Sequence, residues 1–587
     1  MVDWNVPTKE QKEKELGYSK RMAEALERIA QSQATGENLN ALCVAMIDGT
    51  KAGYDRAMKA WFSAKGAESK SPAELTALVE EWYKITRVPW DGGTEFYQPN
   101  ISAVSTGTKY GDNAGMQCTP STYTVANRDD YAGHPCFACV DVNFTVDAES
   151  LEPLITAIDG ITSGFERYNP AKFVGVMQMN MYVYGVEGGS TYKRGLTSVF
   201  KPYAEISAPF GCKPSNNSFR QYTVHTKYMN HTENGKMTAY AGVPATARSI
   251  SHNGLLSLAS ATGTGYSGTS ITDWAFILMM LFVKYGSLTA DGILQGCVAN
   301  DNYHPALLAE TNTQRILIAS GQASKYPVGC RILIGTRGTA SSANDRYPAD
   351  TYSVSGADGC KVTAVEEITV DSTSYTAVYV DCAPFDTVVD SATPANTTYI
   401  RTWHWDNGTC DSVLGNDGSP VSYSSGQYPA KIQGIEYSVG GYETMGDCIL
   451  KLYQDAEDTS VYYCEPYTVK KTANQATAIS SNYVASGIKT KQPSTSAWAY
   501  ITKMTLSKGL LFATNLTGGS SSTFHRDQGY LLAATAGERE LLVFGYLDHG
   551  VTRGGASCFF GYYTLGVAYW HILGRLSPNG NRGELTA

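Results

Sequence analysis

The chain has 587 residues, with 46 Lys and Arg against 55 Asp and Glu, so its net charge at neutral pH is −9. This mild acidity argues against a nucleic-acid-binding protein, because phosphate partners favour basic surfaces. Hydrophobic residues make up 43% of the chain, which is enough to bury cores and excludes general disorder. A charged fraction of only 17%, with 57 Gly and 39 Tyr, favours short strands joined by turns. We therefore predict a multidomain, mainly β (α+β) protein.

The N-terminal part differs from the rest in charge and in periodicity. Residues 1–85 hold 25 charged residues, against 76 in the remaining 502. Its first seven residues lack the basic and apolar segments of a signal peptide, so we expect none. A capping box at Ser71 to Glu74 precedes apolar residues at helical spacing, namely Leu75, Leu78, Val79 and Trp82. We predict that residues 1–85 form a helical docking or oligomerisation segment.

Residues 86–325 are predicted to form a β-rich body with one buried helix. Met177 to Met181 alternates apolar and polar side chains, as a half-buried strand does. The apolar run from Trp274 to Val283 has ten residues, whereas a membrane helix needs about 20. It therefore predicts a buried helix over about 272–286, capped by Thr272 or Asp273, and no membrane insertion.

Two further domains are predicted after the body. Residues 326–419 form a small β domain, in which Arg331 to Ile334 is a strand. A hairpin is predicted around a turn at Asp371 to Ser374, since alternating β-branched residues flank it on both sides. The turn residues Asn416 to Pro420 mark the start of a C-terminal domain over 420–587.

The cysteines and the glycine-rich stretches predict neither a metal site nor a cofactor site. Thirteen cysteines are an odd number at irregular spacing, which favours free thiols and synthesis in a reducing cytoplasm. The pair Cys136 and Cys139 has no second pair at matching spacing, as a zinc site would need. Gly263 to Gly268 matches the dinucleotide fingerprint, but no apolar strand precedes it, so we interpret it as a loop.

No pattern of catalytic residues is visible in the sequence. A serine-hydrolase elbow is missing, and the nine histidines are scattered without a helical metal-binding pair. Acidic pairs that hydrolyse a glycan stay open, because their separation exists only in three dimensions. We predict that the protein is not an enzyme and carries no catalytic residue.

Three C-terminal segments resemble a known domain family. Gln433 to Glu443 is similar to the Glu-Asn and Gly-Asn-Val-Trp-Glu-Trp segment of C-type-lectin-like domains of the formylglycine-generating-enzyme type. Thr552 to Ser557 resembles their Arg-Gly-Gly-Ser stretch, and Gly574 to Ser577 resembles their closing Gly-Phe-Arg strand. The resemblance covers residues 420–587 and implies a C-type-lectin-like fold, as in ligand-binding proteins that retroelements diversify.

The same comparison favours a bacteriophage protein over the enzyme. The enzyme carries a reactive cysteine pair near this end, whereas residues 465–587 hold only Cys558. The ending from Gly574 to Gly580 resembles virion structural proteins from phages of gut Firmicutes. The stretch from Ser251 to Gly254, before a Gly-Tyr-Ser-Gly segment and an apolar helix, resembles their body domain.

The resemblance also implies a binding face. In the family, residues between the Arg-Gly-Gly stretch and the final strand line an exposed surface. Tyr and Trp supply large, rigid contact area in binding sites, although aromatic residues in β domains are also common in cores. These considerations predict a receptor-binding face made of Phe559, Phe560, Tyr562, Tyr563, Tyr569, Trp570 and His571.

We therefore expect a virion protein of the tail-fibre or receptor-binding type, assembled in the host cytoplasm. Its C-terminal domain would adhere to a glycan or protein of the bacterial surface, and its N-terminal helices would bind other virion proteins. A homotrimer would raise a weak single-site affinity through effective concentration. Two alternatives remain open: a structural head fibre or capsid decoration protein, and a tail-spike glycan hydrolase.

Overall fold

The computed structural model describes residues 36–97, 105–203, 205–207, 219–245, 248–336, 353–421, 426–469 and 471–578. Within them the protein is mainly β, with 36% strand and 15% helix, as the composition predicted. Among the described helices, none combines the length and the apolar composition that a membrane span requires. Residues 1–35 of the predicted helical N-terminal segment lie outside the described residues.

Three helices open the described chain: α1 (Gly36–Ala45), α2 (Lys51–Ala64) and α3 (Pro72–Ile85). The capping box predicted at α3 is present, because Ser71 caps the backbone of Glu74 and Glu74 caps that of Ser71. Leu75, Val79 and Trp82 are buried, as their spacing predicted. The buried faces of α2 and α3 pack together through the rings of Trp61 and Trp82 and continue into the core of the body.

Two antiparallel sheets follow the helices. The first has the order β2-β1-β7-β6-β8 and the second has the order β4-β3-β5-β9. Their strands are β1 (Asp91–Tyr97), β2 (Thr108–Gly111), β3 (Cys139–Val146), β4 (Pro153–Ile158), β5 (Phe173–Met179), β6 (Tyr182–Glu187), β7 (Thr191–Thr197), β8 (Glu205–Ser207) and β9 (Tyr222–Thr226).

The next segment carries two helices rather than the single one predicted. Its elements are β10 (His231–Glu233), β11 (Lys236–Thr238), β12 (Arg248–Ile250), α4 (His252–Thr262), β13 (Ser267–Gly268) and α5 (Ile271–Tyr285). Helix α4 was missed because Gly and Ser obscure its short apolar face. Helix α5 is the predicted buried helix, but its N-cap is Ser270, whose hydroxyl accepts from the Thr272 backbone.

A six-stranded sheet is inserted after α5, in the order β14-β19-β16-β17-β18-β15. Its strands are β14 (Tyr303–Pro305), β15 (Arg315–Ala319), β16 (Arg331–Thr336), β17 (Cys360–Val370), β18 (Thr373–Val380) and β19 (Thr398–Thr402). The predicted hairpin is present as β17 and β18. Cys360 and Cys382 form a disulfide that bridges its two ends, so the expectation of free thiols alone was wrong. The spacing of the cysteines in sequence did not reveal this pair, because the pairing of β17 with β18 brings Cys360 and Cys382 together.

The C-terminal strands form most of a ten-stranded sheet. Along its path the order is β12-β32-β22-β30-β31-β29-β26, and β23, β24 and β25 extend it beside β22. The strands are β20 (Ala430–Ile432), β21 (Ile435–Tyr437), β22 (Tyr442–Gln454), β23 (Tyr462–Val469), β24 (Tyr483–Ala485), β25 (Thr490–Lys491), β26 (Ala497–Tyr500), β27 (Lys503–Ser507), β28 (Leu510–Asn515), β29 (Gln528–Leu531), β30 (Gly537–Val543), β31 (Phe559–Gly561), β32 (Tyr569–Leu573) and β33 (Leu576–Ser577). A short helix, α6 (Gly550–Arg553), precedes β31.

Strands from before the inserted sheet pair with the last strands of the chain. β12 pairs with β32, and β13 pairs with β33. Helix α5 packs against strands of both parts, and fourteen of its fifteen residues are buried. One hydrophobic core therefore runs from α2 through α5 to β32, across the predicted boundaries near residues 86 and 420. The domain boundaries themselves remain predictions.

Candidate binding surface

The outward side chains of neighbouring strands place three aromatic rings side by side. In register, Trp498 of β26 lies opposite Tyr530 of β29, and Tyr530 lies beside Phe560 of β31. The ring centroids are 5.4 Å apart for Trp498 and Tyr530, and 5.0 Å apart for Tyr530 and Phe560. Side chains alternate along a strand, so Phe559 points the opposite way. We call Trp498, Tyr530, Phe560 and the adjoining Tyr562 the aromatic ladder.

A second group of rings continues from the ladder along β32. Tyr563 lies 4.9 Å from Tyr569, and Tyr569 stacks on His571 at 5.5 Å with nearly parallel planes. Tyr546 stacks on the other side of His571 at 4.5 Å. The buried ring of Tyr442 joins the two groups, because it contacts both Phe560 and His571.

The seven residues predicted for the binding face are split between surface and core. Tyr562 is 44% exposed and Tyr569 is 46% exposed, whereas Phe560, Tyr563 and Trp570 are half-buried. Two predicted members were placed wrongly, because they are buried. Phe559 is inaccessible and packs on Phe512, and His571 is held beneath Tyr569.

The Trp570 ring packs against other side chains between the two sheets rather than lying on the exposed surface. This ring lies 4.9 Å from that of Trp403, and the Arg401 guanidinium covers it at 4.6 Å. Arg401 belongs to β19 and also pairs with Asp301 at 2.7 Å. Because Trp570 contacts both Trp403 and Arg401, this side of β32 connects the ten-stranded sheet to the inserted sheet. The geometry leaves Trp570 half-buried between the two sheets.

Two residues of the ladder, Trp498 and Tyr530, were missed from sequence. Trp498 alternates with the small residues Ala497 and Ala499, whereas the sequence around Tyr530 shows no alternation of apolar and polar residues. Their proximity to Phe560 depends on strand pairs that join positions 30 and 32 residues apart, which no local pattern reveals. Arg553 extends the surface, with its guanidinium 5.9 Å from the Trp498 ring centroid.

The two histidines of this surface carry no charge at neutral pH. Burial lowers the pKa of His549 to about 3 and that of His571 to about 4, so both rings are neutral at pH 7. The surface therefore offers flat aromatic faces and tyrosine hydroxyls, with Arg553 at the edge. Such a surface can stack on sugar rings and donate or accept hydrogen bonds at its rim.

The structure brings together two of the segments that carry the family resemblance. Glu443, at the end of the first segment, forms a buried ion pair with Arg575 of the last segment at 2.8 Å. Arg575 also donates to the backbone carbonyls of Thr226 and Lys227. This buried pair joins the start of β22 to the end of the chain.

The groups considered for metal binding have other partners. Cys136 and Cys139 are buried, and burial raises the pKa of each thiol to about 12. Among the described residues, Cys118, Asp129 and Asp417 form the single cluster with metal-ligand potential. The Lys284 ammonium lies 2.9 Å from Asp417 and 3.2 Å from Asp129, so a lysine supplies the positive charge there.

No family model matches the chain, and no curated protein matches it.

Proposed function

We propose that the protein is a non-enzymatic bacteriophage virion protein of the tail-fibre type that adheres to the bacterial surface. The aromatic ladder together with Tyr569 is the observation that carries this proposal. Phe560, Tyr562 and Tyr569 follow the Arg-Gly-Gly stretch and precede the end of the chain, where the lectin-like family has its binding face, whereas Trp498 and Tyr530 come before that stretch. Two exposed tyrosines beside a continuous row of half-buried aromatic rings are typical of a binding site.

The proposed ligand is a neutral cell-wall or capsular glycan. Sugar rings present an apolar face that stacks on aromatic rings, and Tyr562 and Tyr569 offer such faces to solvent. A shallow surface of this kind gives weak affinity for one sugar unit. Several copies on one virion would multiply it, because linked sites raise the effective concentration.

The test removes the two exposed tyrosines and leaves the buried rings in place. The variant with Tyr562→Ala and Tyr569→Ala should lose about tenfold or more in binding to polysaccharide isolated from Firmicutes cell walls, since each aromatic contact contributes about 1 kcal/mol. Surface plasmon resonance with immobilised polysaccharide measures this loss. A matched control is Tyr168→Ala, because Tyr168 is 68% exposed and lies in the loop between β4 and β5, outside the aromatic ladder.

Two outcomes would contradict the proposal. Unchanged binding by the folded double variant would exclude this surface as the site. Release of reducing sugar from the polysaccharide by the purified protein would instead favour a glycan hydrolase.

A further inference from the structure

A cleft lies between helix α2 and the body, and none of its residues belongs to the aromatic ladder. It has a volume of about 490 Å³, which is within the range of small-molecule sites. Its outer wall is α2, and its floor comes from β3, β20 and the loops after β4, β9 and β19. Six cationic and four acidic side chains line it, although the whole chain carries a net charge of −9.

Two of the cations in the cleft are neutralised by carboxylates of its floor. Asp141 accepts from both Arg167 and Lys227 at 2.6 Å, and Lys227 also pairs with Asp411 at 3.1 Å. Burial favours the neutral form of Asp141, but Lys227 and Arg167 outweigh it and hold its pKa below the usual value. This part of the floor is a built and charge-balanced network.

Lys431 differs from those two cations. Its side chain is 5% exposed, and its ammonium donates to the Val413 carbonyl at 2.7 Å. Within the described residues its recorded partner is this neutral carbonyl rather than a carboxylate. An ammonium has three donors, so capacity for further acceptors remains. Burial, and then the nearby Lys227, lower the pKa of Lys431, and the nearby carboxylates of Asp141 and Asp411 offset this only in part.

We propose that this cleft binds a small organic anion, with its phosphate or carboxylate group held by the buried Lys431 ammonium. Anion binding would complete the hydrogen bonds of Lys431 and compensate its charge. Lys59 of α2 lines the outer side, where Lys51 and Arg56 are paired with Asp55 and Asp48. The half-exposed Asp159 pairs with Arg167 at 3.0 Å and adds a negative charge at the cleft. The proposal does not depend on the function proposed for the aromatic ladder, because the two sites share no residue.

The experiment is isothermal titration calorimetry of the full chain with inorganic phosphate, glycerol 3-phosphate and glucuronate at low ionic strength. We expect binding that weakens as salt is added, because salt screens charge pairs that water can reach. Glycerol 3-phosphate binding more tightly than glucuronate would identify a phosphate ligand, and the reverse order would identify a carboxylate ligand.

Two substitutions should act in opposite directions. Lys431→Met keeps most of the length of the side chain and removes the charge, so binding should weaken about tenfold or more. Asp159→Asn removes a half-exposed negative charge, so binding should tighten about two- to fivefold. The control Lys489→Met, at an exposed lysine outside the cleft, should leave binding unchanged.

The proposal is overturned if the folded wild-type chain binds none of the three anions. It is equally overturned if Lys431→Met binds them as tightly as the wild type does. A far-ultraviolet circular dichroism spectrum and a melting curve establish that each variant is folded before it is titrated.

Discussion

Asp527 shows how a single buried carboxyl can make stability depend on pH. Its Oδ2 atom accepts from the Ser557 backbone at 2.9 Å, and its Oδ1 atom has no hydrogen-bond partner among the described residues. Burial raises its pKa to about 8, and the nearby Asp291 adds to the rise. Glu540 is similar, since burial raises its pKa to about 8 as well. Both groups are protonated in the folded protein at neutral pH.

The sign of the effect follows from linkage. The folded state holds these protons up to about pH 8, whereas the unfolded chain releases them near pH 4. Stability from the neutral carboxyls is therefore fully present below about pH 4 and is lost as pH rises towards 8. Buried histidines have a lowered pKa, so they make the free energy of unfolding increase as pH rises. This increase is complete above the unfolded histidine pKa of about 6.5.

We predict that Asp527→Asn flattens the pH dependence of stability. Between pH 5 and pH 8 the wild-type free energy of unfolding should fall more steeply than that of the variant, by up to about 1.4 kcal/mol per pH unit. Urea denaturation at several pH values measures the two slopes. The control Glu149→Gln, at an exposed position, should keep the wild-type slope. Parallel slopes for Asp527→Asn and the wild type would contradict the assignment.

At the scale of elements, the hairpin of β17 and β18 turns through an unfavourable residue. Its register joins Val370 to Thr373, so Asp371 and Ser372 form a two-residue loop. Both have positive φ, 45° at Asp371 and 65° at Ser372. Two positive φ values in such a loop fit a type I′ turn, which favours Asn or Asp followed by Gly. Asp371 suits its position, and Ser372 does not.

We predict that Ser372→Gly stabilises the inserted sheet by about 0.5 to 1 kcal/mol. Glycine adopts positive φ without the steric cost that a side chain adds. Thermal unfolding monitored by circular dichroism measures the gain. Ser374→Gly is the matched control in strand β18, where a glycine weakens the strand, so its melting temperature should fall. A lower melting temperature for Ser372→Gly would contradict the turn assignment.

The element scale also explains why the proposed binding surface is rigid. Trp498, Tyr530 and Phe560 stand on three paired strands, β29 and β31 being parallel and β26 and β29 antiparallel. Each ring is held by its strand and by the next ring, so little rotamer freedom remains to be lost on binding. Rigid aromatic faces of this kind bind ligands at a low entropic cost.

At the scale of the whole molecule, oligomeric state decides whether the proposed weak adhesion would suffice. A trimer would present three aromatic ladders and multiply their affinity, provided the ligands can be reached together. The N-terminal segment was predicted to carry the oligomerisation contacts. Its described helices α2 and α3 bury their aromatic faces against the body, so contacts between copies would use their outer faces or the residues before 36.

We predict a solution mass of three times the 63.4 kDa chain. Size-exclusion chromatography with light scattering measures this mass directly. Removal of residues 1–35 should convert the trimer to a monomer if those residues hold the copies together. A wild-type monomer at micromolar concentration would contradict the prediction and remove the avidity argument.

Local signals in the sequence were sufficient for several elements. The capping box of α3 lies within four residues, the hairpin of β17 and β18 within about twenty, and the apolar run of α5 within ten. Each depends on contacts between near neighbours or on a continuous hydrophobic run, so the sequence alone predicted it. The predominance of strands followed from composition for the same reason.

Only the tertiary structure decided which aromatic residues share a face. Phe559 and Phe560 are neighbours in sequence, yet one is buried against Phe512 and the other stands in the ladder. Trp498 joins the ladder through strand pairing, and Lys431 and α2 line the same cleft although hundreds of residues separate them. Periodicity shows that strand side chains alternate, but burial of one side depends on which distant strands pack there. The sequence by itself therefore determined the elements with strong local signals, and long-range packing decided which residues share the candidate sites.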